Sequence, residues 1–382
     1  MGVSTMWAVA LPISLTGIPI AYVLNKTGAM EQQFFVLVAG VVCLALVAII
    51  PAAMMIIRGE KNDPFFYVLS IFTFSSVMDL VIALENDGFI SSFMTFYLLE
   101  GEPYLVTAHG TMILYWDGIA HLLMYVLMVA GHSKRQGWYR EVGLYWAGSI
   151  AHSMVVFLPG NIAGKYGMKW SILLNVPYLI IPFWAGYRFL KSGVKPQKSV
   201  SKPLSVALWK RPQDVFFVLY LLAATALAAF RGMTVLGCNA EMSQIYKNQY
   251  DPYLKDDSTY PMMQMLIYLF YFIPYYVAAA CGLWGGENHT WMTDWALIHA
   301  GAAAQGQFSY IGGAIHASTD PNYRLPSDPS VRLSFFLING ALFLVPQLMA
   351  LRFVWGKTFT HELPPAEPIL SQRKKKAFKK HM

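Results

Sequence analysis

Ten apolar blocks, each close to the roughly 20 residues a helix needs to cross a bilayer, recur from one end of the chain to the other. They cover residues 6–24, 34–57, 65–84, 112–130, 142–159, 170–188, 215–236, 262–284, 292–314 and 333–355. No stretch between them is long enough for a separate soluble domain. A backbone in hydrocarbon must satisfy its own hydrogen bonds, which leaves helices as the economical solution for blocks of this length. Composition agrees, with 56% hydrophobic and 13% charged residues, against about 25% charged in soluble domains. The expectation is an all-α polytopic membrane protein of about ten transmembrane helices. The first block has no basic leader and no small-residue cleavage site, so it reads as a retained helix.

Charge placement orients the chain. Lys134, Arg135 and Arg140, the run from Arg188 to Arg211, and the tail QRKKKAFKK gather Lys and Arg into alternate connections, whereas residues 85–111 carry Glu85, Asp87, Glu100 and Glu102 without a basic residue. By the positive-inside rule the basic connections face the cytosol, and an even helix count puts both termini there. Basic character of this origin calls for no nucleic acid. Of two glycosylation sequons, Asn25 then lies on the lumenal side and Asn288 on the cytosolic side. Cys43, Cys238 and Cys281 are too scattered for a disulfide framework or a zinc site, and neither a metal nor a cofactor is expected.

The chain also reads as a duplication. Asp63-Pro64-Phe65-Phe66 recurs as Asp214-Val215-Phe216-Phe217, Glu102-Pro103-Tyr104-Leu105 as Asp251-Pro252-Tyr253-Leu254, and Trp146-Ala147 as Trp295-Ala296. Asn175, Pro182 and Arg188 recur with identical spacing as Asn339, Pro346 and Arg352. The segmentation is two leading helices (1–60), a first four-helix unit (61–190), a basic cytosolic linker (191–213), a second unit (214–356) and a basic tail (357–382). An even number of helices per unit makes the copies parallel rather than inverted. In each unit a lumenal connection, such as NDGFISSFMTFYLLEGEPYL, is too polar to span and is expected at the membrane interface or folded back as a cap.

Intramembrane polar residues are costly unless partnered, and so mark sites or helix contacts. Asp117 and His121 share one helical face, with Asp79 at similar depth on the preceding helix. The second copy carries Phe230-Arg231 where the first has Asp79, and its polar groups are His299, Gln305, Gln307, Ser309 and His316. Two unlike sites follow, one acidic and one built of amides and aromatics, with His152 a further acid–base candidate. The same residues can also serve as helix-to-helix bonds, with Asp79 or Asp117 neutralising Arg231. Sequence alone leaves both readings open.

The strings SSVMDLVIALENDGFISSFM, GEPYLVTAHGTMILYWDG, GNIAGKYG and QGQFSYIGGAIHA, the last preceded by DWALIHAG, resemble the transmembrane 6 superfamily over nearly the whole chain. The resemblance implies that each four-helix unit is an EXPERA domain, similar to those of the emopamil-binding sterol isomerase and the sigma-2 receptor. It also implies a pocket for sterol or other lipid formed among Asp79, Asp117, His121, His152, Arg231, His299, Gln305 and Gln307. The isomerase's set of acids is not reproduced residue by residue, so the pocket carries over and the reaction does not. A lumenal cysteine pair expected in the second unit is absent, since Cys238 has no neighbour. Lys379-Lys380-His381-Met382 matches a dilysine retrieval signal read by coat proteins. That address points to the family's endoplasmic-reticulum member, which promotes loading of lipid onto triglyceride-rich lipoproteins, with lumenal lipoprotein-assembly proteins as partners. A sterol-isomerase-like enzyme and a non-binding scaffold for lipid-transfer machinery are the alternatives.

Overall fold

The computed structural model describes residues 2–27, 32–57, 63–133, 137–192, 207–285 and 290–355. The retrieval lysines Lys379 and Lys380, and Asn288, lie outside them. Among the described residues the protein is all-helical. α1 (Gly2–Lys26) and α2 (Gln33–Ile57) precede α3 (Pro64–Asn86), α4 (Ala108–Trp116), α5 (Leu122–Ser133), α6 (Trp138–Ala163) and α7 (Val176–Lys191). The second half holds α8 (Pro212–Val235), the short α9 (Glu241–Ile245), α10 (Tyr260–Ile267), α11 (Ile273–Gly285), α12 (Thr290–Ile315) and α13 (Pro329–Trp355). The apolar blocks fall on these helices or on α4–α5 and α10–α11, which run on through a π-turn each, Asp117–His121 and Tyr268–Phe272, except that block 170–188 opens on a 3₁₀ turn, Trp170–Asn175, before α7. Seven described helical stretches are long and apolar enough to cross a membrane: Gln33–Met54, Pro64–Asn86, Ala108–Gly131, Trp138–Ala163, Pro212–Val235, Tyr260–Gly285 and Pro329–Trp355. The protein is thus a polytopic membrane protein.

Helix starts follow from local chemistry. Asp63 accepts a hydrogen bond from the Phe65 amide at 3.0 Å with Pro64 in the first turn, and Thr107 accepts from the Gly110 amide at 3.0 Å. Each satisfies a backbone donor that the helix itself leaves free. Before α13, the Asp328 carboxylate accepts from the Ser330 and Val331 amides. Asp63 also receives the Arg188 guanidinium in two bonds of 2.6 and 2.7 Å, closing α3 against the end of α7. Asp214 plays the same part at the start of α8, although Arg211 takes it at 2.7 Å and Arg352 of α13 stands back at 3.8 Å.

α6 and α12 form the centre. They approach so closely that a Cβ on Gly148 would lie 1.9 Å from the Ile298 carbonyl oxygen, and one on Gly301 2.0 Å from that of Tyr145. Without lipid-to-protein hydrophobic gain between helices, such small-residue contacts let dispersion and backbone polarity hold them together. The contact is reciprocal, relating α6 to α12 by 153 positions. It therefore corrects the alignment of Trp146-Ala147 with Trp295-Ala296 by about one turn: Trp146 corresponds to His299. Arg140 at the start of α6 locks the pair by two 2.6 Å bonds to Asp294 of α12. α1 and α2 pack on the outside of α3, and α2 is mostly exposed.

Candidate functional site

A cavity of about 320 Å³ lies between the leading helices and the first half of the protein. α1 and α2 wall it on one side through apolar residues such as Ala21, Gly40 and Val47, while α3, α5, α6 and α7 wall it on the other. Its acidic lining is made by Asp79 of α3, Asp117, and Glu102 from the connection between α3 and α4, joined by Asn175 and Tyr178. No lysine, arginine or histidine is among the lining residues.

The connection between α3 and α4 reaches this site because it is folded back on itself. Glu85 accepts from the Phe93 and Met94 amides at 3.0 and 2.7 Å, and the Asn25 side chain accepts from the Phe96 amide at 3.0 Å. A π-turn, Tyr97–Gly101, then delivers Glu102, and Pro103–Val106 follows as a 3₁₀ turn. The expectation that the connection folds back as a cap describes this segment: Met94, Phe96 and Tyr97 line the cavity. Glu102 accepts a short hydrogen bond from the Asn175 amide. Burial pushes its carboxyl up to about 7, against the stabilisation from that amide.

Asp117 is aimed by its own turn. Within the π-turn His121 Nδ1 lies 2.5 Å from Asp117 Oδ1. His121 is fully buried, and its Nε2 lies 2.8 Å from Ser149 Oγ on α6. The Trp116 indole N–H donates to the same oxygen at 2.9 Å. Which imidazole nitrogen carries the proton decides whether Ser149 donates or accepts in that contact. The chain of groups resembles a serine triad, yet Ser149 is wholly buried and does not line the cavity. Its role is to orient Asp117. Gly118 permits the approach to α3, since a Cβ there would meet Leu80 Cβ at 2.6 Å.

The remaining residues singled out from sequence lie elsewhere. His152 stacks on Tyr268 at 5.9 Å between ring centres, and His299 on Tyr275 at 4.1 Å. Gln307 donates to the Tyr268 hydroxyl at 2.8 Å and Gln305 to Ser309 Oγ at 2.9 Å. Gln264 ties Tyr268 to the Gly306 carbonyl. These groups form a seam along the packing of α6, α10, α11 and α12 and do not line the cavity. Arg231 is not neutralised by Asp79 or Asp117. Its guanidinium bonds the Tyr246 hydroxyl at 2.8 Å, Asn339 Oδ1 at 2.9 Å and Asp251 Oδ2 at 3.4 Å. Sequence reasoning missed Glu102, Asn175 and Tyr97 as site residues. The signal was present, because Glu102 and Asn175 are both repeat positions, but it was read as a marker of duplication only.

Among the described residues, no group of His, Cys, Asp and Glu is arranged to hold a metal ion, and the three cysteines are free.

Comparison with known proteins agrees with the geometry. Residues 16–200 match the family model described as "Transmembrane 6 superfamily member 2-like, transmembrane domain", and residues 238–353 match "EXPERA (EXPanded EBP superfamily)". The chain is 42% identical over 364 residues to "Transmembrane 6 superfamily member 2" of Mus musculus, covering 93% of this chain and 95% of the relative. It is 39% identical over 369 residues to the protein of that name from Homo sapiens, covering 95% and 96%. No solved structure matches. With that identity held across almost its whole length, the chain belongs to the transmembrane 6 superfamily, as a homologue of its member 2.

Proposed function

We propose that the protein is an endoplasmic-reticulum lipid-handling protein that binds a sterol or other lipid in the cavity between its leading helices and its first four-helix unit. In this role it promotes the lipidation and secretion of triglyceride-rich lipoproteins. The carrying observation is the cavity itself: mostly apolar walls into which the carboxyl groups Asp79, Glu102 and Asp117 converge. Such a combination suits an amphiphile, whose body is desolvated by the walls and whose head donates hydrogen bonds to the carboxyl groups. Its volume is at the low end of small-molecule pockets, about 300–1,000 Å³. α2, largely exposed to lipid, lets the wall part sideways towards the bilayer.

The proposal includes ten membrane-crossing helices: two leading, then two parallel four-helix EXPERA-like units with both chain ends cytosolic. Matching local structure supports the duplication. The order helix, π-turn, 3₁₀ turn, helix, π-turn, helix runs from α3 to α5 and again from α8 to α11, with α9 added. Tyr104 packs edge-on to Phe157 at 5.4 Å, as Tyr253 packs on Tyr310 at 5.4 Å. Retention in the endoplasmic reticulum rests on Lys379-Lys380, and partnership with lumenal lipoprotein-assembly proteins on the family resemblance. Isomerase-type chemistry gains no support, because His121 is withdrawn from the cavity and held by Ser149.

The test is photo-crosslinking of purified protein with a photoreactive sterol and a photoreactive phosphatidylcholine. At least one is expected to label peptides of α2 or α3. Asp79→Asn with Asp117→Asn should weaken that labelling about tenfold, the scale of one lost charge-assisted hydrogen bond. Labelling confined to outward-facing residues, unchanged in the variant, would exclude the pocket.

A further inference from the structure

We infer that the second four-helix unit is closed by the chain's own Arg231, which occupies the place that a ligand's head group takes in the first unit, so that each protein holds one lipid despite its two units. The inference rests on the lipid-binding reading of the cavity above.

The two units present the same frame. In each, a π-turn opening with a tyrosine (Tyr97, Tyr246) is followed by an acid (Glu102, Asp251) and then Pro-Tyr. In each, an asparagine on the last helix or at its start points at that acid or its partner: Asn175 donates to Glu102, and Asn339 accepts from Arg231. What the frame encloses differs. In the first unit the facing helix contributes Asp79, no basic group lines the space, and a cavity remains. In the second, α8 carries Phe230-Arg231 at the corresponding level, and the guanidinium fills the frame. It is almost fully buried, bonded to Tyr246, Asn339 and Asp251, and covered by the rings of Tyr246 and Tyr310 at 5.8 and 5.5 Å. Tyr310 adds a 2.7 Å bond to Asp251, while Asp251 Oδ1 is buried with no hydrogen-bond partner among the described residues. A buried carboxylate of this kind demands a cation, and the chain supplies its own.

If Arg231 stands in for a ligand head, removing it leaves a frame selective for a guanidinium-headed amphiphile.

The experiment is native mass spectrometry of the full chain with dodecylguanidinium, which carries the deleted head group on an alkyl tail. Wild-type protein should bind one copy and Arg231→Ala two. With Asp79→Asn, Glu102→Gln and Asp117→Asn added, these counts should fall to none and one. One copy in both wild type and Arg231→Ala overturns the inference while leaving the first pocket standing, and two copies in wild type overturns it equally. None in wild type but one in Arg231→Ala removes the first pocket and keeps the closure of the second; none in either removes both. Where Arg231→Ala does not yield folded protein, methylguanidinium during purification should restore its yield, and failure to do so overturns the inference.

Discussion

Asp117 shows how much a single carboxyl depends on residues that never meet the ligand. Its orientation passes through His121 to Ser149 and Trp116, on two helices. Ser149→Ala removes the oxygen that the indole N–H and the imidazole share. We expect a loss of about 1–3 kcal/mol, the cost of stranding a buried polar group, seen as a lower melting temperature in detergent, together with weaker lipid labelling. Glu102 gives a pH signature. Its carboxyl titrates near 7 when folded against 4.5 ordinarily, so between those values the folded state binds the proton that the unfolded state has lost. Stability from this group therefore falls as pH rises through that window and levels off above it. Glu102→Gln should lack the fall, and the wild-type-minus-variant difference in melting temperature across the window isolates it. At this scale sequence revealed which residues are polar and which are repeated. It did not reveal that Glu102, in a connection, would be folded into the membrane-facing cavity, because that depends on long-range bonds such as Asn25 to Phe96.

Helices were the most legible level. Apolar length located helices, seven of them long and apolar enough among the described residues to cross a membrane, because spanning segments carry their own signal. The π-turns were not legible, since an extra residue in a turn leaves hydropathy unchanged, although one of them holds both Asp117 and His121. The register of α6 against α12 was misread by one turn for a related reason: Trp-Ala is a short match, whereas the glycines at 148 and 301 decide how closely the helices approach. Gly301→Val should abolish folded protein, because its Cβ would fall 2.0 Å from the Tyr145 carbonyl oxygen. Gly340→Ala on α13 is the matched control. It meets nothing within 4 Å and should be neutral or stabilising by up to about 1 kcal/mol, the helix-propensity difference. Yield and elution of monodisperse protein read both.

For the whole molecule, the proposed duplication followed by divergence would account for most of the asymmetry. Asp63–Arg188 is preserved as Asp214–Arg352 but loosened to 3.8 Å, and an acidic, hollow frame is set beside one filled by arginine. The sequence announced the unlikeness by pairing Asp79 with Phe230-Arg231, but left open whether Gln305 and Gln307 line a site; Gln307 bonds Tyr268 across the helix packing and Gln305 bonds Ser309 within α12. Hydropathy cannot separate a polar group that lines a cavity from one that seals a seam, since both must be buried. The topology predicts that Asn288 stays unglycosylated in microsomes while a sequon placed in the connection between α12 and α13 is used; sugar on Asn288 would reverse the orientation. The account as a whole rests on a hollow first unit that holds lipid. Its most direct test is a high-resolution density map of the protein purified in mild detergent with its native lipids. An elongated feature should run between α2 and α3 with one end within hydrogen-bonding distance of Asp79, Glu102 or Asp117. A first unit in which α1 and α2 close tightly onto α3, leaving no space for an acyl chain or sterol ring, would contradict it.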